Sequence, residues 1–92
     1  MSEYEVGLVR QYTDAISALG VKAHSGAEVT GEVKSAVAKH CEHFRILKSS
    51  RPAANLNAYR AALKMASQVT HESQPKVKAT FDFALSVCPT EL

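Results

Sequence analysis

Apolar positions recur along this chain at spacings of three and four, the repeat of a helix with one buried face. Val9, Tyr12, Ile16 and Leu19 form the first stripe. Ser2-x-x-Glu5 ahead of it is a capping box, in which each side chain accepts from the other residue's backbone N–H. Gly20 stands where a left-handed C-terminal cap belongs. The first helix is therefore expected from Ser2 to Leu19. Residues 20–30 read as a loop or short turn. Two starts compete for the next helix, a second capping box at Ser25-x-x-Glu28 and an N-cap at Thr30. Val33, Val37, His40, Phe44 and Leu47 then carry a second helix to about Ser49. Ser50-Arg51-Pro52 breaks and restarts the chain. Leu56, Tyr59, Leu63, Ala66 and Thr70 mark a third helix from about Pro52 to Thr70.

The last segment supports two readings. Ser73-Gln74-Pro75 resembles a helix start, and Val77, Phe81, Ala84, Leu85 and Cys88 share a helical face. Val77, Ala79, Phe81, Phe83, Leu85 and Val87 also alternate with polar or small residues, which is a strand pattern. A lone strand has no pairing partner in a helical domain, so helix is the favoured reading. Pro89 ends the element either way. The expected architecture is all-α, a compact bundle of three to four helices forming one domain over residues 1–92. The alternative is α+β with a short C-terminal strand.

Composition narrows the picture. Ninety-two residues suit one domain with one modest core. Trp is absent and there are only three Tyr and three Phe, so Val, Leu, Ile and Ala must fill that core. Such a short chain often gains stability by pairing, and Leu8, Phe83 and Val87 look surplus to one small core. A homodimer is expected on that ground. Two cysteines, Cys41 and Cys88, are too few for a disulfide scaffold, and two reduced, buried thiols are expected over a Cys41–Cys88 bridge. The start, Met1-Ser2-Glu3-Tyr4-Glu5, lacks the basic, then apolar, pattern of a secretory leader. No apolar run approaches the ~20 residues that span a bilayer. The expected location is intracellular, in the cytoplasm, away from membranes.

The charges are unevenly distributed. Residues 1–33 carry two basic and five acidic side chains, residues 34–64 seven basic and one acidic, and residues 65–92 two basic and three acidic. The modest net charge of +2 thus hides a strongly basic middle. At ~100° per residue, Lys34, Ala38, Cys41, Arg45 and Lys48 share one stripe of the second helix, away from its apolar face. Asn57, Arg60, Lys64, Gln68 and His71 form a polar stripe on the third. If the two merge, they offer point charges along a surface, which is what a phosphate backbone requires. The candidate binding residues are Lys34, Lys39, Arg45, Lys48, Arg51, Arg60 and Lys64. The partner is a nucleic acid, RNA or DNA, or an acidic protein surface met by a small regulator or inhibitor. The bland reading is a solvated helix face.

Other chemistry finds little footing. His40, Cys41 and His43 lie close in sequence, but Cys41 points away from the two histidines and the spacing fits no zinc signature. The simpler reading puts His40 in the core and His43 at its edge. Neither cysteine sits in a nucleophile turn, and no phosphate loop, dinucleotide fingerprint, zinc-protease helix or calcium loop occurs. Tyr59 could stack on a base, but its stripe assigns it to the core. A non-enzymatic protein without cofactor or metal is expected. In size, helix content and its basic second helix the chain is similar to small viral helical proteins that lay a long basic helix along double-stranded RNA to shield it from silencing nucleases. That similarity is architectural and shares no diagnostic motif, and it implies double-stranded RNA as the ligand.

Overall fold

The computed structural model describes residues 3–46 and 53–87, without the side chains of 46, 53–55 and 87. Four helices account for nearly all of them: α1 (Glu3–His24), α2 (Thr30–Ile46), α3 (Ala53–Val69) and α4 (Pro75–Val87). No strand occurs among the described residues. The all-α bundle expected from the periodicity is what the chain forms, and the alternation over 77–87 belongs to a helix. Val77, Phe81 and Ala84 face the core, while Ala79 and Phe83 are exposed.

The helix boundaries follow from local chemistry. α1 does not stop at Leu19. It runs through Gly20 for another turn and ends in a paired cap: Ala27 N–H donates to Lys22 C=O at 3.1 Å and Gly26 N–H to Ala23 C=O at 3.1 Å. Gly26 has φ of 91°, the left-handed conformation that glycine adopts without strain. Gly20 serves a different purpose. A Cβ there would meet the Cβ of Ala66 at 3.1 Å, so its missing side chain lets α1 and α3 approach closely. Of the two starts open for the second helix, Thr30 is the first helical residue. The Glu28 carboxylate accepts the Thr30 N–H at 2.9 Å, and Thr30, through its side chain first and its N–H second, lowers the Glu28 pKa. Pro75 opens α4, where its missing N–H costs nothing. Ser2, Lys48, Arg51 and Pro89 lie outside the described residues.

Helix neighbours do not follow chain order. α1 lies against α3, α3 against α4, α4 against α2 and α2 against α1, which leaves α2 and α3 across the diagonal. Gly20 beside Ala66, and His24 Nδ1–H donating to Val69 C=O at 3.0 Å, show α1 and α3 running parallel. The turn from α3 to α4 is tied to the end of α1. His71 N–H donates to Ala23 C=O at 2.9 Å, and the Gln74 amide to Gly26 C=O at 3.0 Å.

The core holds Ile16, Val33, Phe44, Leu56, Tyr59, Leu63, Val77 and Phe81, each fully buried. Tyr59 is therefore a core residue, as its stripe implies. Leu8 is only partly buried and rests against this core. Among the described residues no helix is long and apolar enough to cross a membrane.

Candidate nucleic-acid interface

The diagonal arrangement decides where the basic side chains go. α4 stands between α2 and α3, so the two basic stripes do not merge directly. They border two grooves, one on each side of α4. Lys34 and Arg45 line the α2–α4 groove, with Val37, Ala38, Cys41 and Glu42 on the same helix and Ala79, Thr80, Phe83 and Ala84 opposite. Arg60 and Lys64 line the α3–α4 groove, with Asn57, Ser67 and Gln68 on α3 and Lys78, Asp82 and Leu85 opposite. The lining of the two grooves carries five basic and two acidic side chains. Lys39 lies elsewhere. Its Nζ sits 5.9 Å from the centre of the Tyr12 ring, at the α1–α2 boundary. Four of the seven expected residues thus flank α4, one does not, and Lys48 and Arg51 lie outside the described residues.

These cations are not equivalent. Arg45 pairs with Glu42 at 2.9 Å, one turn away and exposed. Arg60 donates to the Leu85 carbonyl at 2.9 Å, so its guanidinium holds the last turn of α4. Lys78 bonds the buried Ser67 hydroxyl at 3.0 Å and lies 3.8 Å from Asp82, to which that hydroxyl also donates. Lys34 and Lys64 have no ion-pair partner among the described residues.

Cys41 is buried between α2 and α4, as a cysteine here was expected to be, although its helical angle puts it on the basic stripe; α4 covers that side of α2. The departure is in its redox state: it is disulfide-bonded, not a reduced thiol. The chain's other cysteine, Cys88, lies outside the described residues.

The histidines find protein partners. His40 is 4% exposed, stacks on Tyr12 with ring centres 4.0 Å apart, and shares a 2.8 Å hydrogen bond with the Tyr59 hydroxyl. Burial, with Lys39 and His43 adding repulsion, pushes its pKa down to about 4. His40 is therefore a neutral core group at physiological pH. His43 is half-buried at the core's edge and bonded to the Tyr12 hydroxyl. His71 Nδ1 accepts the Ser73 N–H at 3.1 Å in the α3–α4 turn. Among the described residues no three His, Cys, Asp or Glu side chains gather as a metal-holding group.

Comparison with family models, with curated proteins and with solved structures gives no match. Phe83, expected from the sequence at a dimer interface, is one of the groove residues. Phe83 is 67% exposed and stands in the α2–α4 groove beside Lys34 and Arg45. The signal was present in the spacing. Residues 81 and 83 lie ~200° apart on a helix, so both phenylalanines cannot face one core.

Proposed function

We propose that this chain is a non-enzymatic nucleic-acid-binding protein that works through the face formed by α2, α4 and α3. The observation that supports it most is the excess of cations along both grooves beside α4, with Lys34 and Lys64 unpaired among the described residues. Unpaired lysines on a concave face neutralise phosphates without first breaking an ion pair. Small residues among the groove linings, Ala38, Ala79 and Ala84 in one and Ala61 in the other, leave room for a backbone to approach. RNA and DNA both satisfy this chemistry. A long, fully exposed basic helix laid along double-stranded RNA is the less favoured form of the reading, because α4 covers part of the basic side of α2.

A homodimer is part of the proposal, on a different surface from the one first expected. Val21 on α1 and Met65 on α3 are 71% and 60% exposed, and they border one shallow groove with Ser17, Gly20 and Ala62. A second copy placed against this face removes both apolar side chains from water while leaving the cationic grooves open. An intracellular, cytoplasmic location completes the proposal. In a reducing compartment the Cys41 sulfur would be a buried thiol, and the core would have to hold without the cross-link.

A mobility-shift titration with single-stranded and duplex RNA and DNA, at low and raised salt, tests the reading. Retention of at least one of the four at low salt, weakening steadily as salt rises, is the expected result. Failure to retain any of them at low salt overturns it and transfers the basic face to an acidic protein partner.

A further inference from the structure

The three phenylalanines of this chain meet different fates. Phe44 and Phe81 are fully buried, yet Phe83 is 67% exposed on the wall of a groove whose cations are Lys34 and Arg45. An exposed aromatic ring beside phosphate-binding charges is the arrangement that single-strand binders use. We propose that the α2–α4 groove takes single-stranded nucleic acid, with Phe83 as the platform on which a base stacks. This inference rests on the nucleic-acid reading above and narrows it to one groove and one form of ligand.

Lys34 and Arg45 are eleven positions apart on one helix, about 16 Å along its axis. Cations at the two ends of the groove therefore contact a backbone at separated phosphates, and Phe83 faces the stretch between them from the other wall. Val37, Ala38, Cys41, Ala79 and Ala84 give the groove an apolar, low-relief lining suited to a flat base. Glu42 also lines it, but its pair with Arg45 is exposed on both sides, and such pairs contribute little to stability. Arg45 can exchange that carboxylate for a phosphate at little cost. A duplex gains nothing from Phe83, because its base faces are already stacked on one another and only phosphates and groove edges are presented. The ring therefore separates the two forms of ligand where charge alone does not.

The test is fluorescence anisotropy at low salt with a labelled 20-nucleotide poly-thymidine strand and a labelled 20-base-pair duplex. The wild-type protein, Phe83→Ala, Phe83→Trp and Lys34→Gln are compared. Phe83 is exposed, so its variants are expected to keep the wild-type circular dichroism spectrum. Tighter binding of the strand than of the duplex is expected for the wild type. Phe83→Ala should weaken strand binding about 10-fold and leave duplex binding unchanged. Phe83→Trp should restore strand affinity, with indole fluorescence quenched on binding. Lys34→Gln should weaken both ligands. If Phe83→Ala binds the strand as well as wild type while Lys34→Gln weakens it, the stacking platform is overturned and the nucleic-acid reading stands. If neither ligand binds at low salt, both are overturned.

Discussion

Gly20 and Ala66 bring α1 and α3 into close contact. A Cβ at position 20 would lie 3.1 Å from the Ala66 Cβ and 3.3 Å from its Cα. Both atoms belong to the rigid part of a helix and cannot swing aside. Alanine in place of a mid-helix glycine ordinarily gains up to about 1 kcal/mol. Here the parallel helices must separate by a few tenths of an ångström, and overfilling a tight contact costs about 1–3 kcal/mol. Gly20→Ala is therefore expected to lose about 1 kcal/mol net in urea denaturation. Gly7→Ala, on the same helix with nothing within 4 Å of its Cβ, is expected to gain about 0.5–1 kcal/mol. A gain at both positions would show that α1 and α3 are not held this close.

The same pair explains where the sequence could be read and where it could not. Periodicity identified three helical segments and favoured helix over strand for the last, because a buried stripe repeats whatever it is buried against. It could not say which helices are neighbours. Gly20 looked like a helix end because glycine suits both a left-handed cap and a close helix contact, and only the position of α3 separates the two. Cys41 fell on the basic stripe by angle alone. It is buried because α4, separated from α2 in the chain by the whole of α3, lies over that side of α2. The alternation from Val77 to Val87 arose because Ala79 and Phe83 are apolar residues on an exposed face, which no period detects. The cations flanking α4 were legible as residues, and their division between two grooves was not.

Stability is expected to fall as His40 is forced to take up a proton. Its pKa is about 4 in the folded protein against 6.5 in the unfolded chain. Above pH 6.5 both states are neutral at this site and it makes no difference. Below 6.5 the unfolded chain binds a proton that the folded core refuses, so stability drops until about pH 4 and then levels off. By pH 5 the loss from this site is about 2 kcal/mol. The groups facing it are Tyr12, Tyr59, Lys39 and His43. His40→Gln should be less stable than wild type at pH 7.5 and should lose much less between pH 7.5 and 5. Parallel pH profiles for the two proteins would place the acid sensitivity elsewhere.

Arg60 should behave differently from Lys64, although both are exposed cations on α3. Arg60 donates to the Leu85 carbonyl, one of the terminal acceptors that a helix leaves without an internal partner. A cation there also meets the negative end of the α4 dipole. Arg60→Ala is expected to cost about 1 kcal/mol, with the last turn of α4 exchanging its amide protons faster. Lys64→Ala should change stability by less than about 0.5 kcal/mol. Equal effects would mean that the Arg60 guanidinium is solvated and not capping.

Lys34 and Lys64, which hold no ion pair among the described residues, are the residues on which salt linkage reads most cleanly, and Arg45 reads it after release from Glu42. Each cation that neutralises a phosphate releases counterions, and its removal should lower the slope of log affinity against log salt by about 0.7 on a single strand and about 0.9 on a duplex. Lys34→Ala and Arg45→Ala border the groove with Phe83, so each should reduce the single-strand slope by one contact. Lys64→Ala borders the other groove and should leave the single-strand slope intact if that ligand is confined to the α2–α4 side. Lys48→Ala, beyond the described residues but on the same sequence stripe, joins Arg45→Ala in a double variant that should lower the slope by two contacts. The losses should be nearly equal for thymidine, cytidine and adenosine strands, because phosphate contacts position a ligand without reading its bases. Glu3→Ala on α1 is the control and should leave the slope unchanged. Thermal melts must first show each variant folded. A folded Arg45→Ala, Lys48→Ala protein with the wild-type slope would mean that this stripe does not meet phosphates.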